Sequence, residues 1–527
     1  MGNGGRWGIV GVAVRAPASS RRVRCSHRRH AAAAMKAVSK GDGAHELVVV
    51  GAGLAGMTAA VRAAELGLRV LVLEAGAGES YPCNSRMTMG FFHIAFNDVT
   101  AEPSHLRRVI SEVTLHEADP ALAECMATRI GPSVQWLSAH GGRFMKGGPY
   151  AWMSRVLAPP RVRRTGVHWK GRGGDVLLRK LAQRLESLGG TLLTGVRARS
   201  LEMRGGQCVG LFVQKGSVNL CIDARAVILA DGGFQANADM VRKFISPRPE
   251  KLCMRNAGSG QGDGLEMAIK AGAATHGLNK FYGHVQCLEA IGTQDLWPYP
   301  VLDHLGSAGL IVDSQACRFA DEGHGGIFMA NAIAGLPEPD SAVIIFDEVI
   351  WNGIGRESLL APNPGAISAG AHLYTSESIA GLAQQLGLPA AKLAETVAAH
   401  NRFTSGEVTV LHPPRTTGAM VPQPIQCPPY HAFRACAGLT YTMGGILIDG
   451  KARVLDIAGT PIPGLYAAGA ATGGLEGGGA AGYVGGLSKA LVFGLIAAES
   501  VAAINSNSSN HAASQQSGAE GQPKGKP

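Results

Sequence analysis

Residues 46–56 read Glu-Leu-Val-Val-Val-Gly-Ala-Gly-Leu-Ala-Gly, and no other stretch restricts the possible folds of this chain so tightly. Glu46 to Gly53 predicts a buried strand running into a glycine turn, Leu54 to Leu66 an Ala-rich helix, and Arg69 to Glu74 a second apolar strand, which together make a βαβ unit. Within it, Gly51-Ala52-Gly53-Leu54-Ala55-Gly56 is a G-x-G-x-x-G in a strand-turn-helix setting. The first glycine allows the tight turn, the second lets backbone approach a pyrophosphate, and the third lets helix and strand pack closely. The helix N-terminus then offers amide donors and a partial positive charge to the phosphates. Glu74 ends the second strand, where a carboxylate accepts hydrogen bonds from the adenosine ribose. Agreement of both strands, the helix and the terminal acid points to a dinucleotide site rather than a bare glycine turn.

A chain of 527 residues, 46% of them hydrophobic, can bury a large core and favours more than one domain. Its net charge of +10 is concentrated at one end: residues 1–44 hold nine Lys/Arg, from Arg6 to Lys40, against Asp42 alone. The body is then nearly neutral, so a nucleic-acid partner has little support. That Arg-rich start has three readings: a transit-like targeting peptide, a twin-arginine signal hinted at by Ser20-Arg21-Arg22, and a disordered extension ahead of a true start at Met35. Ser506 to Pro527 is Ser/Asn/Gln/Gly-rich and predicts an unfolded tail. Ten cysteines without a C-x-x-C pair, and no His cluster at ligand spacing, predict neither a disulfide framework nor a metal site. No apolar run reaches the ~18–20 residues of a spanning helix, the stretch Ala490 to Ala503 being interrupted by Glu499, so no transmembrane segment and a cytoplasmic location are expected.

Beyond the βαβ unit, a helix is expected over Leu181 to Gly189. Short strands are expected at Thr191 to Thr194, Val209 to Val213 and Ala226 to Ala230. Gly260-Gln261-Gly262-Asp263-Gly264 opens a helix through Ala271, Ile462 to Gly469 is a strand entering a turn, and a glycine-rich run ends at Gly486 before a helix from Leu487. Glycines gathered at strand ends imply close approach by something flat or phosphorylated.

Six landmarks occur in order: Val50-Gly51-Ala52-Gly53-Leu54-Ala55-Gly56, Asn84-Ser85, Leu229-Ala230-Asp231-Gly232-Gly233-Phe234, Gly262-Asp263-Gly264, Thr442-Met443-Gly444-Gly445 and Gly464-Leu465-Tyr466-Ala467-Ala468-Gly469. Over roughly residues 46–500 the chain thereby resembles the flavoproteins that include fumarate reductases, succinate dehydrogenases, tricarballylate dehydrogenases and 3-ketosteroid dehydrogenases. The resemblance implies an α/β fold: a Rossmann-like FAD-binding domain of glutathione-reductase type, built from residues 45–278 and 443–505, with an inserted α+β capping domain at 279–442. Substrate would lie between cap and isoalloxazine. By the same resemblance the fingerprint residues Gly51 to Gly56, with Ala230 and Gly469, line the cofactor, and Glu74 binds ribose. Asn84, Ser85 and Gly90 line pyrophosphate and flavin, Val196 meets adenine through its backbone, and Asp263 sits by the cofactor. The helix at Leu487-Ser488 aims amides at the flavin's pyrimidine end.

Departures from the family pattern bear on the chemistry. Asn84 stands where some relatives attach flavin through histidine, so FAD is expected to be non-covalent. The proton-donating arginine four residues beyond the Glu of an R-F-x-x-E segment is Gly326 here, after Arg318-Phe319-Ala320-Asp321-Glu322. The substrate-clamping arginine before Gly485-Gly486 is Tyr483, the two histidines before T-M-G-G are Thr440 and Tyr441, and Val301-Leu302-Asp303-His304-Leu305 replaces a Thr-Glu-x-x-Arg clamp. A dicarboxylate needs charge-assisted partners of roughly 1.5–3 kcal/mol each. With those arginines gone, the expected substrate is a neutral molecule bearing a carbonyl, dehydrogenated or reduced at the adjacent carbon–carbon bond. Tyr483 would polarise the carbonyl, with Tyr441 or His284 as acid/base. His93, Asn97 and Asp98 are expected in loop packing, with pocket lining as the alternative, and Phe91, Phe92 and Phe96 in core or flavin-edge packing. Three alternatives stand beside this: an acid oxidoreductase of the tricarballylate or fumarate kind, a flavin oxidase or hydroxylase, and a non-catalytic electron-transfer flavoprotein. The electron acceptor is left open.

Overall fold

The computed structural model describes residues 45–162, 168–293, 295–296, 300–359, 361–418 and 420–519, so the readings of the basic stretch 1–44 fall outside the described residues. Leu47–Val50 forms β1, Leu54–Glu65 α1 and Val70–Glu74 β2, every residue of both strands being buried. β1 and β2 pair in parallel, with Leu47 opposite Val70 and Val50 opposite Leu73. Unbroken burial of this kind belongs to a parallel sheet covered on both faces, where alternation of apolar and polar residues has no use. Gly173–Ser187 (α2) leads into Thr191–Thr194 (β3), which adds in parallel to β2. An antiparallel three-stranded sheet follows, Arg197–Arg204 (β4), Gln207–Lys215 (β5) and Val218–Asp223 (β6). Val227–Leu229 (β7) then pairs with the other edge of β1.

Past Cys253–Met254 (β8) and Asp263–Lys270 (α3), the chain enters a second sheet. Its elements are Phe281–Cys287 (β9), Asp303–Ala308 (α4), Leu310–Val312 (β10), Gly326–Ala334 (α5), Val343–Asp347 (β11), Tyr374–Ser376 (β12) and Tyr430–Thr442 (β13). The long strand β13 is the spine, pairing with β8, β9, β11 and β12. β9 runs antiparallel to β13 with Tyr282 opposite Tyr441 and His284 opposite Gly438, and its register slips between Tyr282 and Gly283. The end of β13 returns the chain to the first sheet, where Arg453–Leu455 (β14) and Pro461–Ala467 (β15) complete the order β14-β15-β7-β1-β2-β3. This is the expected class: a Rossmann-like sheet carrying the fingerprint, combined with a mixed α/β second unit.

Gly486–Ala519 forms the last helix, α6. Two sequence expectations bear on it. Helix continues to Ala519 where composition predicted an unfolded tail from Ser506, because elongating an existing helix by one residue is far easier than nucleating a new one. Its segment Gly486–Ile504, 19 residues of mean hydropathy 1.7, is also long and apolar enough to cross a membrane, although the sequence reading found no such run. Two charges, Lys489 and Glu499, interrupt the run to the eye without lowering its mean enough. Here 67% of that window is buried, packed on α1 and on the helix Pro120–Ala139. Glu499 pairs with Arg62 of α1 at 3.1 Å and with Arg129 at 2.6 Å. Gly494 lets the helices meet closely, since a Cβ there would overlap the Thr58 hydroxyl.

Candidate active site

At the fingerprint, Gly51 has φ +97°, and a Cβ would stand 2.5 Å from the carbonyl oxygen of Ala230 on β7. A Cβ at Gly56 would overlap the Gly51 carbonyl, so the third glycine sets the distance between α1 and the turn. Gly53 differs: its Cβ would meet only the Ser85 hydroxyl, at 3.3 Å. Gly53 at the start of α1 has no capping side chain of its own and no acidic residue stands in the first turn, which leaves that helix end suited to an anion. Ser85 Oγ accepts from the Leu54 amide at 3.0 Å. Glu74 is buried at the end of β2, accepting from the Ala52 amide at 3.0 Å and the Gly76 amide at 2.6 Å. Burial pushes its carboxyl above the usual range against those two donors.

Neighbouring positions converge on the same strand ends. The Val196 amide donates to the Glu74 carbonyl at 2.9 Å, and the Ala230 amide to the Val50 carbonyl at 2.8 Å. Asp263 opens α3 and pairs with Arg197 at 2.8 Å. Next to it, Asp231 accepts from the Gly264 amide at 2.8 Å, while its other oxygen is buried with no partner among the described residues. Burial raises the Asp231 carboxyl to about 7. Gly469, at φ +71°, brings the turn after β15 to α1, where its Cβ would lie 2.8 Å from that of Ala55. Asn84 binds the Thr440 carbonyl and the Ala257 amide, each at 2.9 Å, so both ends of its carboxamide are engaged. Gly90, at φ +85°, meets Leu157. Ser488 donates to the His93 carbonyl at 2.8 Å, and Leu487 packs beside the core.

Further along, Tyr441, Met443, Ala481 and Tyr483 form a small apolar cluster of their own, joined by Tyr282, Ile327 and Ala470. Tyr282 and Tyr483 stack with ring centres 4.0 Å apart. Tyr483 also meets His93 at 5.3 Å and Phe96 at 5.8 Å, and Trp152 and Phe91 extend this aromatic wall. His93 stacks on Phe96 and accepts its amide at Nδ1, and burial drops its pKa to about 4. Asn97 and Asp98 hold their own loop, bonding His105 and Thr100.

The acid/base candidates sit in different surroundings. Tyr441 donates to both oxygens of Glu476, at 3.0 and 3.1 Å. Burial and then the Glu476 charge hold its phenol well above the ordinary value. Glu476 also accepts from the Val484 and Gly485 amides and faces Lys489 Nζ at 3.4 Å, itself bonded to the Thr472 carbonyl at 2.8 Å. His284 lies between Asp303 (Nδ1 to Oδ2, 2.6 Å) and the Tyr282 hydroxyl (Nε2, 2.9 Å). Arg255, buried, donates to the Thr440 hydroxyl at 2.7 Å. The Tyr483 phenol is raised by burial, then by Tyr282 and Glu476, with Arg255 acting in the opposite sense.

The profile of the FAD binding domain family matches residues 46–486. The chain belongs to that family. It is similar to fumarate reductase (cytochrome) of Shewanella frigidimarina, 27% identical over 479 residues, covering 87% of this chain and 77% of the relative. It is also similar to 4-oxocyclohexanecarboxylate 2-dehydrogenase of Sinomonas cyclohexanicum, 30% identical over 326 residues, 56% of this chain and 54% of that protein. In fold it matches the crystal structure of 3-ketosteroid-Δ4-(5α)-dehydrogenase from Rhodococcus jostii RHA1, with TM-score 0.66 at 21% identity, covering 89% and 98% of the two chains. The protein is therefore an FAD-dependent oxidoreductase acting at carbon–carbon bonds.

Its residues fit FAD: a helix end without acid in its first turn, a glycine at 53 open on one side, and a buried Asp231 oxygen with no partner among the described residues. The sequence named Asp303 only as a neighbour in a motif and assigned no role to Tyr282, Arg255, Glu476 or Lys489. Lys489 and Glu476 did carry a signal, being charges in an apolar helix and in a glycine-rich turn. Arg255 and Asp303 carried none, since their partners are distant in the chain.

Proposed function

We propose that the protein dehydrogenates or hydrogenates a CH–CH bond beside a carbonyl, in a flat and largely apolar substrate that is not a simple dicarboxylate. FAD, when bound, supplies the exchange of hydride at its N5. The observation that carries the reading is Tyr483, a hydroxyl flanked by aromatic rings, at the position where the family resemblance implies a substrate-clamping arginine. A phenol with a raised pKa keeps its proton and donates it as a hydrogen bond, which draws charge onto a carbonyl oxygen and acidifies the α-carbon. Arg255 adds a positive field that favours this charge. Of the two acid/base candidates, Tyr441 has its hydroxyl committed to Glu476, whereas His284 faces an acceptor on one side and a hydroxyl on the other. That difference supports His284. The Sinomonas relative, named for a reaction on an oxocyclohexane ring, supports the carbonyl.

Arg255 also favours a second reading, an acid oxidoreductase with a single guanidinium for one carboxylate. Anaerobic mixing of the yellow holoprotein with ketosteroids, cyclic ketones, enones, fumarate and tricarballylate separates the two. Bleaching by saturated ketones, or reoxidation of reduced flavin by enones, is expected, and robust turnover of fumarate would overturn the ketone reading. Tyr483→Phe is expected to slow flavin reduction by about a hundredfold, as loss of one oxyanion donor does, with FAD content unchanged.

A further inference from the structure

We infer that Asp303, His284 and Tyr282 form a proton relay to the substrate, built through the space that glycine leaves at position 326. The inference rests on the carbonyl chemistry proposed above and extends it to the path of the proton.

Position 326 is where the family pattern has its proton-donating arginine, and by sequence alone the function is simply missing. The structure shows what stands there instead. Gly326 opens α5, and a Cβ on it would overlap the Asp303 carboxyl. No larger residue fits at 326 while Asp303 is in place, so the loss of one side chain and the presence of the other are a single feature. Asp303 is fixed at both oxygens: Oδ1 accepts from the Val285 amide at 2.8 Å, and Oδ2 faces His284 Nδ1 at 2.6 Å. Burial pushes its carboxyl up, but the charge and hydrogen bond of His284, with the Val285 amide, outweigh this and leave it below the usual range.

Asp303 is thus a carboxylate and can only accept, so the proton on Nδ1 belongs to His284. With a single ring proton, at Nδ1, Nε2 is an acceptor, and the group facing it at 2.9 Å is the Tyr282 hydroxyl. In that form the donors run from Tyr282 to His284 to Asp303. Tyr282 and His284 are two apart on β9 and so share a face of the strand. The Tyr282 ring lies on Tyr483 at 4.0 Å, which sets proton carrier and carbonyl polariser side by side.

In dehydrogenation the α C–H bond breaks and its proton passes to the Tyr282 oxygen as the Tyr282 proton moves to Nε2. The electron pair of that bond becomes the new double bond, and FAD, when bound, would supply the acceptor for the hydride released from the β-carbon. The imidazolium is held against the Asp303 carboxylate, and its side chain, 16% exposed, can return the proton to water. Hydrogenation runs the same path backwards. Tyr282 is the catalytic residue; His284 and Asp303 position and charge it.

The test uses the holoenzyme and a saturated cyclic ketone that bleaches the wild-type flavin. Flavin reduction is followed anaerobically, and α-deuterium uptake in D2O by NMR. Tyr282→Phe should lose both by about a hundredfold or more, with FAD content and ketone affinity kept. His284→Ala should lose both and recover in part with added imidazole, which a structural role would not allow. Asp303→Asn and Gly326→Ala should behave alike, and each should abolish the low-field imidazole N–H proton signal of the wild type. Near wild-type rates in Tyr282→Phe, or no such signal in the wild type, would overturn the relay while the function stands. A wild type that neither bleaches nor exchanges with any ketone would instead sink the function, and the relay with it.

Discussion

Lys489 holds an ammonium among apolar neighbours, and its only described anionic partner is Glu476 at 3.4 Å. Burial depresses the lysine and Glu476 opposes the shift. Removing one member of such a pair costs more than removing both, because the survivor is left charged and uncompensated. Lys489→Met is therefore expected to destabilise the protein by about 3–5 kcal/mol, read as a lower urea midpoint. The double variant Lys489→Met/Glu476→Gln should recover part of that loss. His93 gives a pH effect of definite sign. Its folded pKa of about 4 lies below the ~6.5 of an unfolded histidine. Above 6.5 both states are neutral and the group contributes nothing. As pH falls from there towards 4, the unfolded chain takes up a proton that the folded chain refuses. Stability should fall over that window by on the order of 3 kcal/mol, and His93→Asn should flatten the slope in urea melts at pH 7.5, 6 and 5.

Helix α1 is pressed from two sides, by the Gly51 carbonyl at Gly56 and by α6 at Thr58. Neither contact has slack, so α1 cannot move away from a side chain added on one face. Gly56→Ala is expected to push the helix N-terminus off the turn and lower the FAD bound per chain, measured as the ratio of flavin to protein absorbance. The βαβ unit was legible because each of its signals is local: an apolar run, three glycines at fixed spacing and a terminal acid lie within 29 residues, Glu46 to Glu74. The last helix was less legible. Its apolar stem is interrupted by Lys489 and Glu499, whose charges are answered by Glu476, Arg62 and Arg129 from elsewhere in the chain.

At the scale of the molecule, the fingerprint sheet and the sheet built on β13 meet around Tyr282, Tyr441 and Tyr483, which come from β9, β13 and the turn ahead of α6. Three distant segments must fold together before the site exists. The residues that would hold the flavin lie at the strand ends of the first sheet, and Asn84 has a carboxamide already bound at both ends. Acid precipitation of the holoprotein should therefore release all FAD to the supernatant, and yellow colour retained in the washed pellet would show a covalent link.

The sequence alone determined the cofactor and the fold class, because a dinucleotide turn needs glycines at fixed spacing between a strand and a helix, and that spacing is written in consecutive residues. It also marked Gly326, Tyr441 and Tyr483 as departures from the family pattern. Only the tertiary structure decided what those departures amount to. Asp303 occupies the room at Gly326 from 23 positions away, Glu476 engages Tyr441 from 35, and Lys489 is answered across a turn. Such pairings are set by how strands and helices come together in space, and spacing along the chain carries no record of them.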